Sequence, residues 1–486
     1  MLEICDKLFS QWNQNNLSYC HWKSNEHLLP GLNGDTDLDV LLSESHSTKG
    51  RCILAELGFL ECKSQYGSRY PGVEDWIGFD KDTGKLIHIH LHYNLVTGHK
   101  GMKEYVLPWR EEALQTRIKN EKYGVYTMEP NLELITLYTR IGLKADFKNL
   151  IRCKIGKYYF DKDTKKEIDW LKERVDFTKV DTLAQKYYGS LAGQLLELLH
   201  KETIDAKSFM LLRKLAEANF KNNRRINSFV RLREICFFAY RRFFLTIRQR
   251  NRMVITKKVP IREIGLTVAF LGQDGAGKTT VTKSIIKWWK WKLDVQYVYL
   301  GSGDNYSSWK KCLIKKLPGR SVFRYMRTFL TLLDARDRTI KAYDNVKKAI
   351  EYANRGGLVV YDRFPQMDYA GICDGPKIRK RLIDIFGDGL MYKLFSPLAK
   401  SEEMTLRKIT ESSPDLVFKL ILTPEESLRR KPEENYEDVQ IKHEIIKSLE
   451  FKHSDVYSID ATMPFDQEII QIKNVIWNSL IKKQQL

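Results

Sequence analysis

The 486 residues carry 81 Lys and Arg against 61 Asp and Glu, a formal net charge of +20, with 43% hydrophobic and 12% aromatic residues. That length and apolar content argue for two to four packed domains and against a disordered chain. The charge points to acidic partners, which include nucleotides, nucleic acid, an anionic membrane or an anionic glycan. No stretch reaches the uncharged apolar length of a spanning helix, and Met1-Leu-Glu-Ile-Cys-Asp-Lys7 lacks the regions of a secretion signal, so a cytoplasmic location is expected. The eight cysteines show no C-x-x-C spacing, which favours reduced thiols over a disulfide frame or structural zinc.

Residues 1–118 read as mixed α/β. Cys5 to Trp12 is helix-like, Leu17 to Trp22 and Leu38 to Leu42 are strand-like, and Asp75 to Phe79 with Lys85 to Asn94 form the arms of a hairpin around the turn formers Asp80 to Gly84. On the second arm His88, His90 and His92 share one face and Ile87, Ile89 and Leu91 the other. The isoleucine face is expected in the core. The imidazole face suits either a half-exposed strand or a transition metal, for which the sequence offers no second ligand cluster. Asp37 and Asp39, two apart at the start of an apolar strand, point the same way and form a pair able to hold Mg²⁺ against a triphosphate.

On these residues the stretch from about 17 to 118 resembles the nucleotidyltransferase superfamily, whose pattern is a Ser-bearing turn, D-x-D entering a strand and a third carboxylate on a neighbouring strand. Ser24 is the candidate turn residue, and His90 stands where the third carboxylate is expected. The resemblance implies an α+β nucleotidyltransferase-like domain with Asp37 and Asp39 as metal ligands. Active nucleotidyl transfer and a degenerate nucleotide- or acceptor-binding module both remain open.

Residues 119–258 are expected to be a basic helical region, with helical apolar spacing in Leu132 to Leu143, Val180 to His200 and Ser208 to Phe220. Between Lys221 and Lys258 twelve basic residues face Glu234 alone, with Phe237, Phe238, Tyr240, Phe243 and Phe244 among them. A helix packed on one face, a nucleic-acid stripe and an interfacial membrane helix all fit 221–258. Lys257 to Pro260 reads as a linker into a third domain, 259–486.

That domain opens on Gly272-Gln-Asp-Gly-Ala-Gly-Lys-Thr-Thr280, which fits G-x-x-x-x-G-K-[ST] between a β-rich run, Leu266 to Leu271, and a helical pattern, Val281 to Leu293. Backbone N–H groups of such a loop converge on phosphate at a helix N-terminus, so Gly272, Gly275, Ala276, Gly277, Lys278, Thr279 and Thr280 are candidate ATP-binding residues. Strand patterns recur at Val295 to Leu300, Leu358 to Phe364, Asp415 to Leu422 and Val456 to Ile459, separated by helical patterns. The alternation predicts an α/β fold with a parallel, helix-covered sheet. Asp362, at the carboxyl end of a buried strand, is placed to orient Mg²⁺ or its water, and Arg363 to hold an acceptor phosphate. Glu425 to Asp438, with Arg429, Arg430 and Lys431 at a helix end, has the look of a closing lid.

Residues 265–480 resemble thymidylate kinases and related P-loop nucleoside-monophosphate kinases. The motifs that carry the resemblance are Gly272 to Thr280, Asp337-Arg338, Asp362-Arg363-Phe364, Pro414-Asp415-Leu416-Val417, Arg429-Arg430 and Ile459-Asp460-Ala461-Thr462. The resemblance implies a P-loop NTPase sheet with helices on both faces and an ATP- and Mg²⁺-dependent phosphotransferase. In it Lys278 bridges the donor phosphates, Thr279 and Asp362 serve Mg²⁺, and Asp274, Arg338 and Arg363 bind the acceptor. Ala461 and Thr462 border adenine, and Arg429 and Arg430 supply the catalytic cation that some members carry at the position of Gly275. Leu300-Gly-Ser-Gly-Asp-Asn305 replaces the usual R-E-P-G-G, which leaves the acceptor open. Alternatives are a nucleotide-gated regulator that binds nucleic acid or membrane through 221–258, and a sugar or glycan kinase with an accessory nucleotidyltransferase domain. A homodimer is compatible with either.

Overall fold

The computed structural model describes residues 1–63, 70, 72–99, 102–144, 151–153, 161–201, 204–250, 261–262, 264–301, 309–316, 324–367, 375–387 and 389–485. The chain forms two compact units, Met1–Val259 and Pro260–Leu486.

In the first unit, strands β1 (Tyr19–His21), β2 (Leu38–Leu42), β3 (Leu60–Cys62), β4 (Val73–Phe79), β5 (Leu86–His92), β8 (Ile118–Asn120) and β9 (Val125–Thr127) make a mixed sheet in the order β3-β4-β5-β2-β1-β9-β8. A ribbon of β6 (Val96–Thr97) and β7 (Tyr105–Val106) stands beside it. The alternation of β2 and β5 sends Leu38, Val40, Leu42, Ile87, Ile89 and Leu91 into a core with Phe9 and Trp12 of α1 (Glu3–Gln14) and Ile53 and Leu54 of α2 (Ser47–Glu56).

Trp22 and Leu41 join a second core built with the helices α3 (Pro130–Leu143), α4 (Lys162–Lys172), α5 (Phe177–Tyr188), α6 (Ala192–His200) and α7 (Ala206–Asn219). This core runs across the boundary expected at 118/119, so sheet and helices pack as one body. Helix α3 begins at Pro130 with the Glu129 carboxylate accepting from Leu132 N, and it is buried on almost every side. A Cβ on its Gly142 would lie 2.8 Å from Leu212 O, so α3 and α7 cross closely. Helix α8 (Ser228–Arg250) is tied at its start by Arg231, whose Nε lies 2.9 Å from the buried Glu104 carboxylate. On this helix Phe229, Leu232, Tyr240 and Phe243 are all exposed by more than half.

The second unit is a five-stranded, wholly parallel sheet: β10 (Leu266–Gly272), β11 (Val295–Tyr299), β12 (Leu358–Asp362), β13 (Leu416–Ile421) and β14 (Asp455–Asp460), in the order β11-β12-β10-β13-β14. Buried strands of this kind read as continuous apolar runs, as Leu-Val-Val-Tyr in β12 does. One face packs on α11 (Arg324–Ala353), α13 (Leu390–Glu411) and α15 (Tyr436–Ser448) through Val346, Ala349, Leu406, Ile409 and Ile445, with α10 (Trp309–Lys316) and α12 (Ile378–Phe386) preceding α11 and α13 in the chain. Elsewhere α9 (Lys278–Trp289) meets α16 (Phe465–Gln485), with the Trp289 and Trp477 rings 6.3 Å apart. The chain leaves β10 toward β11 and β12 on one side and later fills β13 and β14 on the other. The carboxyl end of β10 is therefore the switch point at which open α/β sheets bind ligands.

Candidate active site

The loop at that switch point needs its glycines. A Cβ at Gly272 would sit 2.9 Å from Leu420 O, and Gly275 and Gly277 have φ of +83° and +82°. Lys278 follows as the first residue of α9 and folds back, so that Nζ donates to the carbonyls of Gly272 (2.8 Å) and Gln273 (2.7 Å). Burial pushes this ammonium down to about 8, with the Asp274 carboxylate opposing. Thr279 and Thr280 are exposed in the first turn of α9, beside its positive end.

Asp362, opposite Phe270 in the sheet, is buried and accepts from the Tyr297 hydroxyl at 2.9 Å. Arg363 carries a φ of +69°, an uncommon strain for a side chain of that size, and its guanidinium lies 4.0 Å from Asp274. The other Asp274 oxygen receives Lys442 of α15 at 3.0 Å, and Lys442 also meets Glu434 at 3.4 Å. Burial works against the Asp274 charge, but Lys442 and Lys278 hold the carboxyl below its usual range. Ser427 donates to Asp274 O at 2.9 Å, docking α14 (Pro424–Arg430) on the loop.

The two expected lid arginines separate. Both meet the Glu426 carboxylate, Arg430 at 2.8 Å and Arg429 as a fork at 2.6 and 2.7 Å, but only Arg430 also donates to Gly275 O (3.4 Å) and Ala461 O (3.1 Å), while Arg429 is mostly exposed. Neighbours on a helix point about 100° apart, so one helix end cannot aim both inward. Thr462 closes its own turn on Asp460 (2.6 and 2.8 Å), just after β14. Arg338 is paired with Asp334 on its own helix. The structure thus gathers Lys278, Asp274, Arg363, Arg430 and Ala461 about one loop, with Asp362 close enough to act on Lys278. Lys442, Tyr297 and Ser427 have no motif in the sequence and appear only in the fold.

The first unit holds a second polar cluster. In the sheet Asp39 of β2 pairs with His90 of β5, and His90 with Asp75 of β4, one row across three strands. His88 lies between Asp37 Oδ1 (3.0 Å) and Asp75 Oδ1 (3.1 Å), and His92 Nε2 meets Asp39 Oδ1 at 3.1 Å. His90 faces Asp39 at 3.5 Å through Nδ1, and Asp75 and Asp37 at 3.4 and 3.9 Å through Nε2. Lys23 Nζ reaches Asp39 at 2.6 Å. The strand turn carrying Lys23 is fixed by Asn25, which donates from N and Nδ2 to Glu133 at 3.0 and 2.7 Å.

Burial opposes protonation of His88, yet its two carboxylates raise its pKa. Burial and the neighbouring His88 push His90 down to about 4, and burial pushes His92 to about 3. Burial works against the Asp39 charge as well, but Lys23 and the imidazoles hold it well below the usual range. A carboxylate the sequence did not single out, Asp75, stands on the strand next to His90. The hairpin register, Phe79 opposite Leu86, is the signal that sets it opposite His90. The oxygen-only, octahedral shell that Mg²⁺ takes does not match these surroundings, because imidazole nitrogens face Asp37 and Asp39.

No family model matches the chain. It is similar to the Uncharacterized ATP-binding protein YghR of Escherichia coli strain K12, with 25% identity over 230 residues, 43% of this chain and 86% of that protein. It is also similar to the Uncharacterized ATP-binding protein YghS of the same strain, with 26% identity over 245 residues, 46% and 95% of the two chains. Among solved structures, deoxyadenosine kinase of M. mycoides with bound dATP covers 43% of this chain and 99% of its own, at 15% identity and a TM-score of 0.26. The same kinase with dCMP and dCDP gives 17% identity and 0.26. At such scores no chemistry passes from these structures to this chain.

Proposed function

We propose that the second unit is an ATP-dependent phosphotransferase of nucleotide-kinase type acting on a small acceptor. The observation that carries this is Lys278, a half-buried cation held on the carbonyls of a glycine loop at the switch point of a parallel sheet. Similarity to two proteins named as ATP-binding supports the donor.

The loop N–H groups from Gly272 to Thr280 and the end of α9 cradle the donor phosphates, and Lys278 turns from carbonyls to phosphate oxygens. Asp274, braced by Lys442 and facing Arg363, is placed for the acceptor. Arg430 sits on the loop backbone beside Ala461, where a cation neutralises charge on the phosphoryl in flight. Thr279 and Asp362 offer the hard oxygen donors that fit Mg²⁺, and together with the phosphates would hold it. When bound, Mg²⁺ neutralises phosphate charge. Arg338 is assigned to the acceptor only by the family resemblance. Incubation with ATP and a panel of nucleosides, nucleoside monophosphates and sugars tests the reading. One acceptor should raise ADP formation well above the basal rate; a panel without effect contradicts a small-acceptor kinase.

The exposed Phe229, Leu232, Tyr240 and Phe243 on a basic helix favour a second role, contact of α8 with an anionic bilayer. Vesicles containing phosphatidylserine should retain the protein at low salt and neutral vesicles should not.

A further inference from the structure

Three features of the first unit converge on one row of residues. Asp39 Oδ1 lies 3.5 Å from His90 Nδ1 and 3.1 Å from His92 Nε2. Two ligands bound tetrahedrally at 2.0–2.1 Å are about 3.3 Å apart, so these separations match the edges of a coordination polyhedron. The three donor atoms lie within 4.8 Å of one another. Sheet geometry enforces this arrangement: Asp39 pairs with His90, Leu41 with His92, and period 2 keeps His90 and His92 on one face.

A ligating imidazole characteristically offers its other nitrogen to a carboxylate, which fixes the ring. His90 has that partner. Its Nε2 faces Asp75 at 3.4 Å and Asp37 at 3.9 Å, longer contacts than the hydrogen bonds made by His88 and His92. His88, engaged at both nitrogens by Asp37 and Asp75, is the clamp that holds those two carboxylates in place.

We propose that Asp39, His90 and His92 form a two-imidazole, one-carboxylate site for a divalent transition metal, with Asp75 as the positioning residue of His90. Mixed N/O donors of this kind select Zn²⁺, Co²⁺, Fe²⁺ or Mn²⁺ over Mg²⁺. Lys23 is the present counter-ion of Asp39 and occupies its oxygen at 2.6 Å, so metal entry displaces it. The site lies in the unit that does not carry the glycine loop, and its failure leaves the kinase reading untouched.

The full chain, stripped with a chelator and with its thiols alkylated, is dialysed against Co²⁺, Zn²⁺ or Mg²⁺ and assayed for bound metal and for the visible absorption of Co²⁺. The expected result is one tightly bound Co²⁺ or Zn²⁺ per chain. His90→Ala and His92→Ala should each weaken it by well over tenfold, Asp75→Asn by about ten- to a hundredfold, and Lys278→Ala not at all. Lys23→Gln should tighten binding by removing the competing cation. Absence of bound transition metal in the wild type overturns the proposal, as does binding that survives in folded His90→Ala and His92→Ala proteins. Should those two not fold, binding unchanged in both Asp75→Asn and Lys23→Gln overturns it.

Discussion

Lys278 is the residue on which the second unit turns, and its burial makes a pH prediction. Its folded pKa, about 8, lies below the ordinary lysine value, so the cation is lost as pH rises through that value while the unfolded chain still holds its proton. Stability without ligand should therefore rise between pH 8 and the normal lysine range, and ATP affinity should fall over the same interval. Calorimetric ATP titrations at pH 7 and 9 check the second half of the statement. Asp274 gives a coupled test. Lys442→Met should lower phosphoryl transfer by roughly tenfold and Asp274→Asn by at least as much, and the double variant should be little worse than Asp274→Asn, because the Lys442 contact is already lost in it. The loop itself is contiguous, so Gly272 to Thr280 could be read directly from the sequence. Lys442 lies 168 residues from Asp274, and only the packing of α15 against the loop brings them together.

Element geometry explains what else was legible. The central strands of the second unit, β10, β12 and β13, are short apolar runs buried almost throughout, which makes them recognisable without partners, whereas β11 and β14 at the edges are partly exposed. In the first unit the D-x-D pair and the His-x-His-x-His face were each visible. Their meeting was not, because it depends on β2 and β4 both flanking β5. Asp75 is a case of the same kind: its role follows from register rather than from its neighbours in sequence. Close approach gives a sharper element-scale prediction. A Cβ at Gly265 would lie 1.7 Å from Ala353 O, at the seam of β10 and α11. Gly265→Ala should cost about 3 kcal/mol in denaturant unfolding, and Gly277→Ala, at a φ of +82°, about 1–2 kcal/mol.

For the whole molecule, two units with separate cores predict two transitions in calorimetry. Each ligand should move only one of them. At a hundredfold excess over Kd, ATP should stabilise the second unit by about 2.7 kcal/mol, and Co²⁺ should move the other transition. The two-unit division was only half apparent in sequence, since the apolar spacing turns helical after 118 while β8, β9 and the core run on across that point. Sequence separated the helices from the sheet by pattern, and Trp22, Leu41 and α3 join them.

Whether the glycine loop and Lys278 serve phosphoryl transfer is decided by following labelled γ-phosphate from ATP to the acceptor found in the panel. Wild-type protein should label the acceptor, and folded Lys278→Ala should do so about 10²–10³-fold more slowly. Equal rates in the two proteins would mean that Lys278 takes no part in the transfer.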